Sequence, residues 1–182
     1  MGDTKLRIKT LTLIFLGLFF ISAGQVLAQG PRLPYKDTGA CPFECCTYRG
    51  WVTNKDTVIY KEMRAGGSPV AFRVEKGEKV TGITGVVITT EAGRVKALKS
   101  FTTSSGVRIR ANDIFYLLTY RGEGFYLIWY KGKKFEAEAY DQSNMKVLSE
   151  PVAVWWVKIR NRKGQIGWTK LPENFDNKDS CG

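Results

Sequence analysis

Trp155-Trp156-Val157-Lys158-Ile159-Arg160-Asn161-Arg162-Lys163-Gly164-Gln165-Ile166-Gly167-Trp168-Thr169 is a strand, a turn and a second strand in chain order. Trp155, Val157 and Ile159 alternate with Trp156, Lys158 and Arg160, so an extended backbone sends the two sets to opposite faces. Asn161 and Gly164 bracket a turn, Asn through its side-chain oxygen and Gly through its access to positive φ. Ile166, Gly167 and Trp168 then resume the extended run. A helix is the wrong reading, because the apolar residues recur every second position rather than every third and fourth.

The same grammar repeats along the chain. Val70, Phe72 and Val74 alternate with Ala71 and Arg73, and Phe125, Leu127 and Trp129 with Tyr126, Ile128 and Tyr130. Glu75-Lys76-Gly77-Glu78, Lys131-Gly132-Lys133 and Gly122-Glu123-Gly124 read as tight turns between such runs. Residues 136–148 come nearest to a helical turn, and no window carries a long amphipathic helix. Short β-rich segments with glycine turns predict an all-β domain, a small barrel or sandwich.

Residues 1–28 have the three-part layout of a cleavable secretory signal. Lys5, Arg7 and Lys9 form the basic start, residues 11–21 the apolar stretch, and Val26 and Ala28 the cleavage positions. The apolar stretch falls short of the roughly 20 residues of a bilayer span, so the expected localisation is secreted or periplasmic, with no stable membrane span. The chain carries 28 Lys and Arg against 17 Asp and Glu, a net charge of +11. Excess positive charge on an exported protein favours anionic envelope polymers over nucleic acid as partners.

Cys41, Cys45, Cys46 and Cys181 form an even set, which an oxidising compartment turns into disulfides. A vicinal Cys45–Cys46 bridge runs against normal disulfide geometry. The two remaining pairings join Cys181 to Cys45 or to Cys46 and leave the other cysteine for Cys41. An all-thiolate zinc site is the competing reading, and it has no histidine to draw on. The expectation is disulfides, with no metal and no cofactor.

The run at 155–169 resembles the closing hairpin of bacterial SH3-type domains, in which a W-x-V-x-V strand leads through a glycine-containing turn into G-W. Ser68-Pro69-Val70-Ala71-Phe72-Arg73-Val74-Glu75-Lys76-Gly77-Glu78-Lys79-Val80-Thr81-Gly82 is similar to that family's earlier strand–turn–strand segment. Roughly seventy residues separate the two pieces, where the family keeps them close. Within that gap residues 107–117 and 122–133 again resemble a strand–turn–strand unit and a closing hairpin. The fold implied is an SH3-like barrel, as two tandem or interleaved units or as one barrel with a β insertion; an OB-like barrel shares the same local patterns. The expected organisation is a signal at 1–28, an extended cysteine-bearing leader at 29–46, SH3-like units at 47–100 and 101–175, and a disulfide-tethered tail at 176–182. The resemblance implies an exported protein that binds cell-wall peptides or other envelope ligands.

Without histidine, the usual His-based triads and His-metal sites are ruled out. No phosphate-binding glycine loop stands at a strand–helix junction. Glu123, Asp141 and Glu150 have no spacing that recommends them as a glycosidase pair. The chain therefore reads as a binding module rather than an enzyme. Tyr126, Tyr130 and Trp156 oppose the presumed core side of their strands, so they either pack between units or contact ligand. Lys131 and Lys133 surround one turn, with Arg160 and Arg162 around another. Either cluster is a solvated hairpin tip or, if the tips meet, part of an anion-attracting patch. Expected partners are a peptidoglycan peptide or an anionic wall polymer; the alternative is another exported protein, met by an inhibitor or assembly factor.

Overall fold

The computed structural model describes residues 30–64, 66–139 and 141–181; the signal-peptide assignment lies outside them. The chain is all-β, with fifteen strands and one short 3-10 turn among the described residues. Strands β1 (Tyr35–Thr38), β2 (Gly50–Thr53), β3 (Thr57–Tyr60), β4 (Val70–Val74) and β5 (Lys79–Glu91) come first. β6 (Gly93–Ala97), β7 (Phe101–Thr102), β8 (Arg108–Ile109), β9 (Ile114–Gly122), β10 (Phe125–Tyr130), β11 (Lys133–Glu138) and β12 (Met145–Ser149) follow. β13 (Val152–Arg160), β14 (Ile166–Thr169), the 3-10 turn Pro172–Asn174 and β15 (Phe175–Asp176) close the chain. The weak helical stretch at 136–148 is β11, a turn and β12 instead. Asp141 takes the turn through its carboxylate, which accepts from the Ser143 N–H and hydroxyl.

Two antiparallel sheets carry the fold. The first has the order β15-β2-β5-β13-β14-β3-β4, with β1 also on β5, and curls into a half-barrel. The second has the order β11-β10-β9-β6-β12, and β7 and β8 form a separate small ribbon. The sheets change over between Glu91 and Gly93 and between Ser149 and Val152, not at residue 100. Residues 68–82 and 155–169 therefore lie in one sheet, and the strands between β5 and β13 form the other sheet and the small ribbon. β5 and β13 stand side by side from Val152↔Glu91 to Arg160↔Thr81, despite the strands inserted between them.

Each sheet has its own core. Trp51, Ile59, Phe72, Val74, Val80, Val157, Ile159 and Phe175 fill the half-barrel. Val95, Ile109, Phe115, Leu117, Tyr126, Ile128, Tyr130 and Met145 fill the second. Two glycines stand where a side chain has no room. A Cβ on Gly82 would sit 2.6 Å from the Trp51 ring, and one on Gly167 would sit 2.6 Å from the Tyr60 carbonyl oxygen. Both sites thus need the missing side chain for the sheet to close.

The disulfides are Cys41–Cys46 and Cys45–Cys181. They belong to a non-reducing compartment. Backbone hydrogen bonds from Thr47 N–H to the Lys178 carbonyl and from Ser180 N–H to the Cys45 carbonyl hold the tail beside its bridge. No described helix is long and apolar enough to cross a membrane.

Candidate functional site

The aromatic residues singled out as a ligand face are core. Tyr126, Tyr130 and Trp156 are 6%, 5% and 5% exposed. On β10 the alternation runs opposite to the ligand-face reading: Tyr126, Ile128 and Tyr130 point inward, while Phe125, Leu127 and Trp129 are half-buried. The inward set shares a core with Val95 of β6 and Phe115 and Leu117 of β9, so tyrosine rings rather than Trp129 complete that core. Trp156 pairs with Val86 on β5, on the face opposite Trp155. All three rings are packed, and of them Tyr126 and Tyr130 also reach the edges of surface concavities.

The four basic residues stay at the surface but do not converge. Lys131 and Lys133 flank Gly132 at the β10–β11 hairpin, and Arg160 and Arg162 sit at the β13–β14 hairpin. Arg160 pairs with Thr81 at one end of β5. Lys134, beside the other tip, donates to Tyr35 Oη at 3.2 Å, and Tyr35 pairs with Thr89 at the far end of β5. Eight residue steps along the strand carry Thr81 to Thr89, so about 25 Å of β5 lies between the two tips.

The β10–β11 tip forms a cleft of about 350 Å3 lined by Gly106, Val107, Arg108, Tyr130, Lys131 and Lys133. Lys131 Nζ donates to Asp113 Oδ2 at 2.7 Å, and Tyr130 Oη donates to the same oxygen. The Lys131 ammonium, helped by the Tyr130 hydroxyl, holds the Asp113 carboxyl below its ordinary range. Arg108 and Lys133 have no acidic partner among the described residues. Arg108 was not anticipated; its signal was a basic residue beside the turn at Gly106, on the short strand facing this tip.

A second concavity lies where the two sheets meet. Val87, Leu118, Tyr120, Tyr126, Ala153 and Trp155 line a crevice of about 360 Å3, with Pro42, Glu150 and Pro151 at its rim. The Tyr120 and Tyr126 rings lie 5.1 Å apart between centroids. Trp155 Nε1 donates to Tyr48 Oη at 3.3 Å, and that hydroxyl donates to the Ala40 carbonyl. Gly85 leaves room for this pair, since a Cβ there would lie 2.2 Å from Tyr48 Oη. Burial pushes the Tyr48 phenol up to about 12, against a smaller lowering by the Trp155 hydrogen bond.

The junction is tied below the crevice. Thr89 Oγ1 donates to the Leu118 carbonyl at 2.9 Å. Arg121 on β9 reaches Asp37 on β1 at 2.8 Å and Glu136 on β11 at 2.8 Å, bridging the sheets with a largely buried guanidinium. These long-range partners leave no trace in local sequence periodicity. Glu123, Asp141 and Glu150 occupy three separate places: the β9–β10 turn, the turn before β12 and the approach to β13. Glu44, Cys45 and Cys181 gather in one place, and there the two sulfurs are joined to each other. No family model, curated protein or solved structure matches the chain.

Proposed function

We propose that the chain is a non-catalytic, exported binding module that docks an anionic polymer of the cell envelope. The observation that carries this reading is the β10–β11 cleft, where Arg108 and Lys133 stand without an acidic partner among the described residues, beside the Lys131–Asp113 pair. Two unneutralised cations around one concavity attract negative charge more than isolated surface lysines do. The net charge of +11 and the paired disulfides fit an exported protein meeting such polymers. The resemblance to SH3-type domains is supported by the joining of residues 68–82 and 155–169 in one sheet, in the form of a barrel with a β insertion. With the aromatic face buried, charge rather than ring stacking is the basis of recognition.

The test is co-sedimentation with purified sacculi, with and without their anionic polymers, at low and physiological salt. The double variant Arg108→Ser with Lys133→Ser should lose most binding without a change in melting temperature. Wild-type binding should itself weaken with salt, because exposed charge is screened over about 8 Å at physiological ionic strength. Binding that survives both the variant and the salt refutes the cleft. A second reading, a module for another exported protein, is favoured by one separate observation: the aromatic crevice opens beside a stretch of unpaired strand.

A further inference from the structure

β13 is longer than its neighbour on one side. β5 pairs with it from residue 152 to residue 160, whereas β14 begins pairing only at Val157. Which groups this leaves free follows from the ladder. The Gly39 N–H donates to the Gly85 carbonyl, so Gly85, Val87 and Thr89 turn their backbone groups toward β1. Val86 and Ile88 then turn theirs toward β13, where they meet Trp156 and Val154. Ala153 and Trp155 are left with N–H and C=O directed away from β5, and no described residue takes them. The 3-10 turn Pro172–Asn174 lies near β13 but forms no backbone hydrogen bond with this stretch. Residues 152–154 are exposed along their whole length.

The side chains of these two residues, Ala153 and Trp155, also line the inter-sheet crevice. One short stretch therefore offers both things that strand addition uses: unpaired backbone groups and a pocket for alternate side chains. We infer that residues 152–156 form a docking edge for an extended peptide segment of a partner protein, with one large apolar side chain of that peptide in the crevice. This inference deepens the second reading above and rests on it.

The geometry favours a peptide over a second copy of this chain. Edge-to-edge pairing of two copies would engage five residues a side, against the roughly 20–30 a side of a standard stable interface. It would also leave the crevice empty, because the facing side chains would again be Ala153 and Trp155. A bare edge of this kind is normally covered or blunted. Here Val152 and Val154, 49% and 39% exposed, leave its other face apolar as well.

The experiment pans a phage-displayed random nonapeptide library against the mature, disulfide-intact protein. Enriched peptides are then synthesised and measured against wild type, Ala153→Pro and Tyr120→Ala. Ala153→Pro removes an outward N–H and leaves the β5 ladder intact, a placement proline tolerates at edges. We expect peptides alternating large apolar and polar residues, at least tenfold weaker binding by each variant, and an unchanged melt for Ala153→Pro. Amide exchange on wild type gives a reading independent of any variant's folding: the Ala153 and Trp155 N–H groups should slow when peptide is added. Peptides that bind while these amides exchange freely overturn strand addition and leave an interaction module standing. A library that yields no binder overturns both. A wild-type dimer that Ala153→Pro returns to monomer puts a second copy on the edge and also overturns the proposal.

Discussion

Removing the two disulfides one at a time should cost the protein very different amounts. Cys45 and Cys181 are 136 residues apart, whereas Cys41 and Cys46 are 5 apart. In the chain-entropy model a cross-link restrains the unfolded chain in proportion to the logarithm of the loop it closes. The long loop gives about 5 kcal/mol and the short one about 2 kcal/mol, a gap of about 3 kcal/mol. The paired variants Cys45→Ser with Cys181→Ser, and Cys41→Ser with Cys46→Ser, isolate the two terms. Guanidinium unfolding with fitted slopes is the assay. The first variant should unfold at distinctly lower denaturant, and with a larger slope, because its unfolded state is more expanded. On a melt the gap corresponds to roughly 6–12 °C for a domain of this size. The tail's hydrogen bonds to Thr47 and Cys45 belong to the folded state and work against this gap by holding the C-terminus without the bridge. Equal losses, or a larger loss for the short bridge, would refute the loop-entropy reasoning and point to contacts around Cys41 as the stabilising element.

Two further outcomes follow from single side chains. The Tyr48 phenol sits at about 12 in the fold against an ordinary 10.0, so folding favours its neutral form. Its contribution is fully present below pH 10 and is lost as pH rises toward 12; Tyr48→Phe should flatten the alkaline limb of a stability-against-pH curve, and an unchanged limb would assign it elsewhere. Trp156→Ala should lower stability by about 3–5 kcal/mol, as truncation of a buried ring does; an unchanged melt with lost sacculus binding would return Trp156 to a ligand surface.

Period-two alternation at 155–159 and 125–130 made the strands legible, and glycine turns at 77, 122–124, 132 and 164 made their ends legible. Each of these glycines has positive φ. What alternation cannot tell is which of two apolar sets faces the core. Tyr126 and Tyr130 carry hydroxyls, yet they are the inward set, because Phe115 and Leu117 on β9 supply the rings and methyls they pack on. The pairing of β5 with β13 was hidden for a different reason: contacts across a sixty-residue gap have no local signature. The basic clusters lie at two hairpin ends, with Lys133 and Arg160 on the strands and Lys131 and Arg162 in the turns. Their separation is a matter of topology, since one tip belongs to each sheet. The crevice escaped notice because its walls, Tyr120 and Trp155, come from different sheets, brought together by long-range ties such as Thr89–Leu118 and Arg121–Asp37.

The side-by-side arrangement of Glu91 and Val152 has a consequence for how the molecule assembles. Every strand from β6 to β12 enters and leaves through two adjacent points. If that stretch forms its own sheet early, the sixty-residue separation between β5 and β13 shrinks to the distance across a hairpin. The entropy of closing a long loop then no longer stands before their pairing. In kinetic terms the whole second sheet serves as the turn of one long β-hairpin. Substitutions that loosen its core, at Phe115 or Ile128, should slow folding of the half-barrel, whose own core does not include those residues.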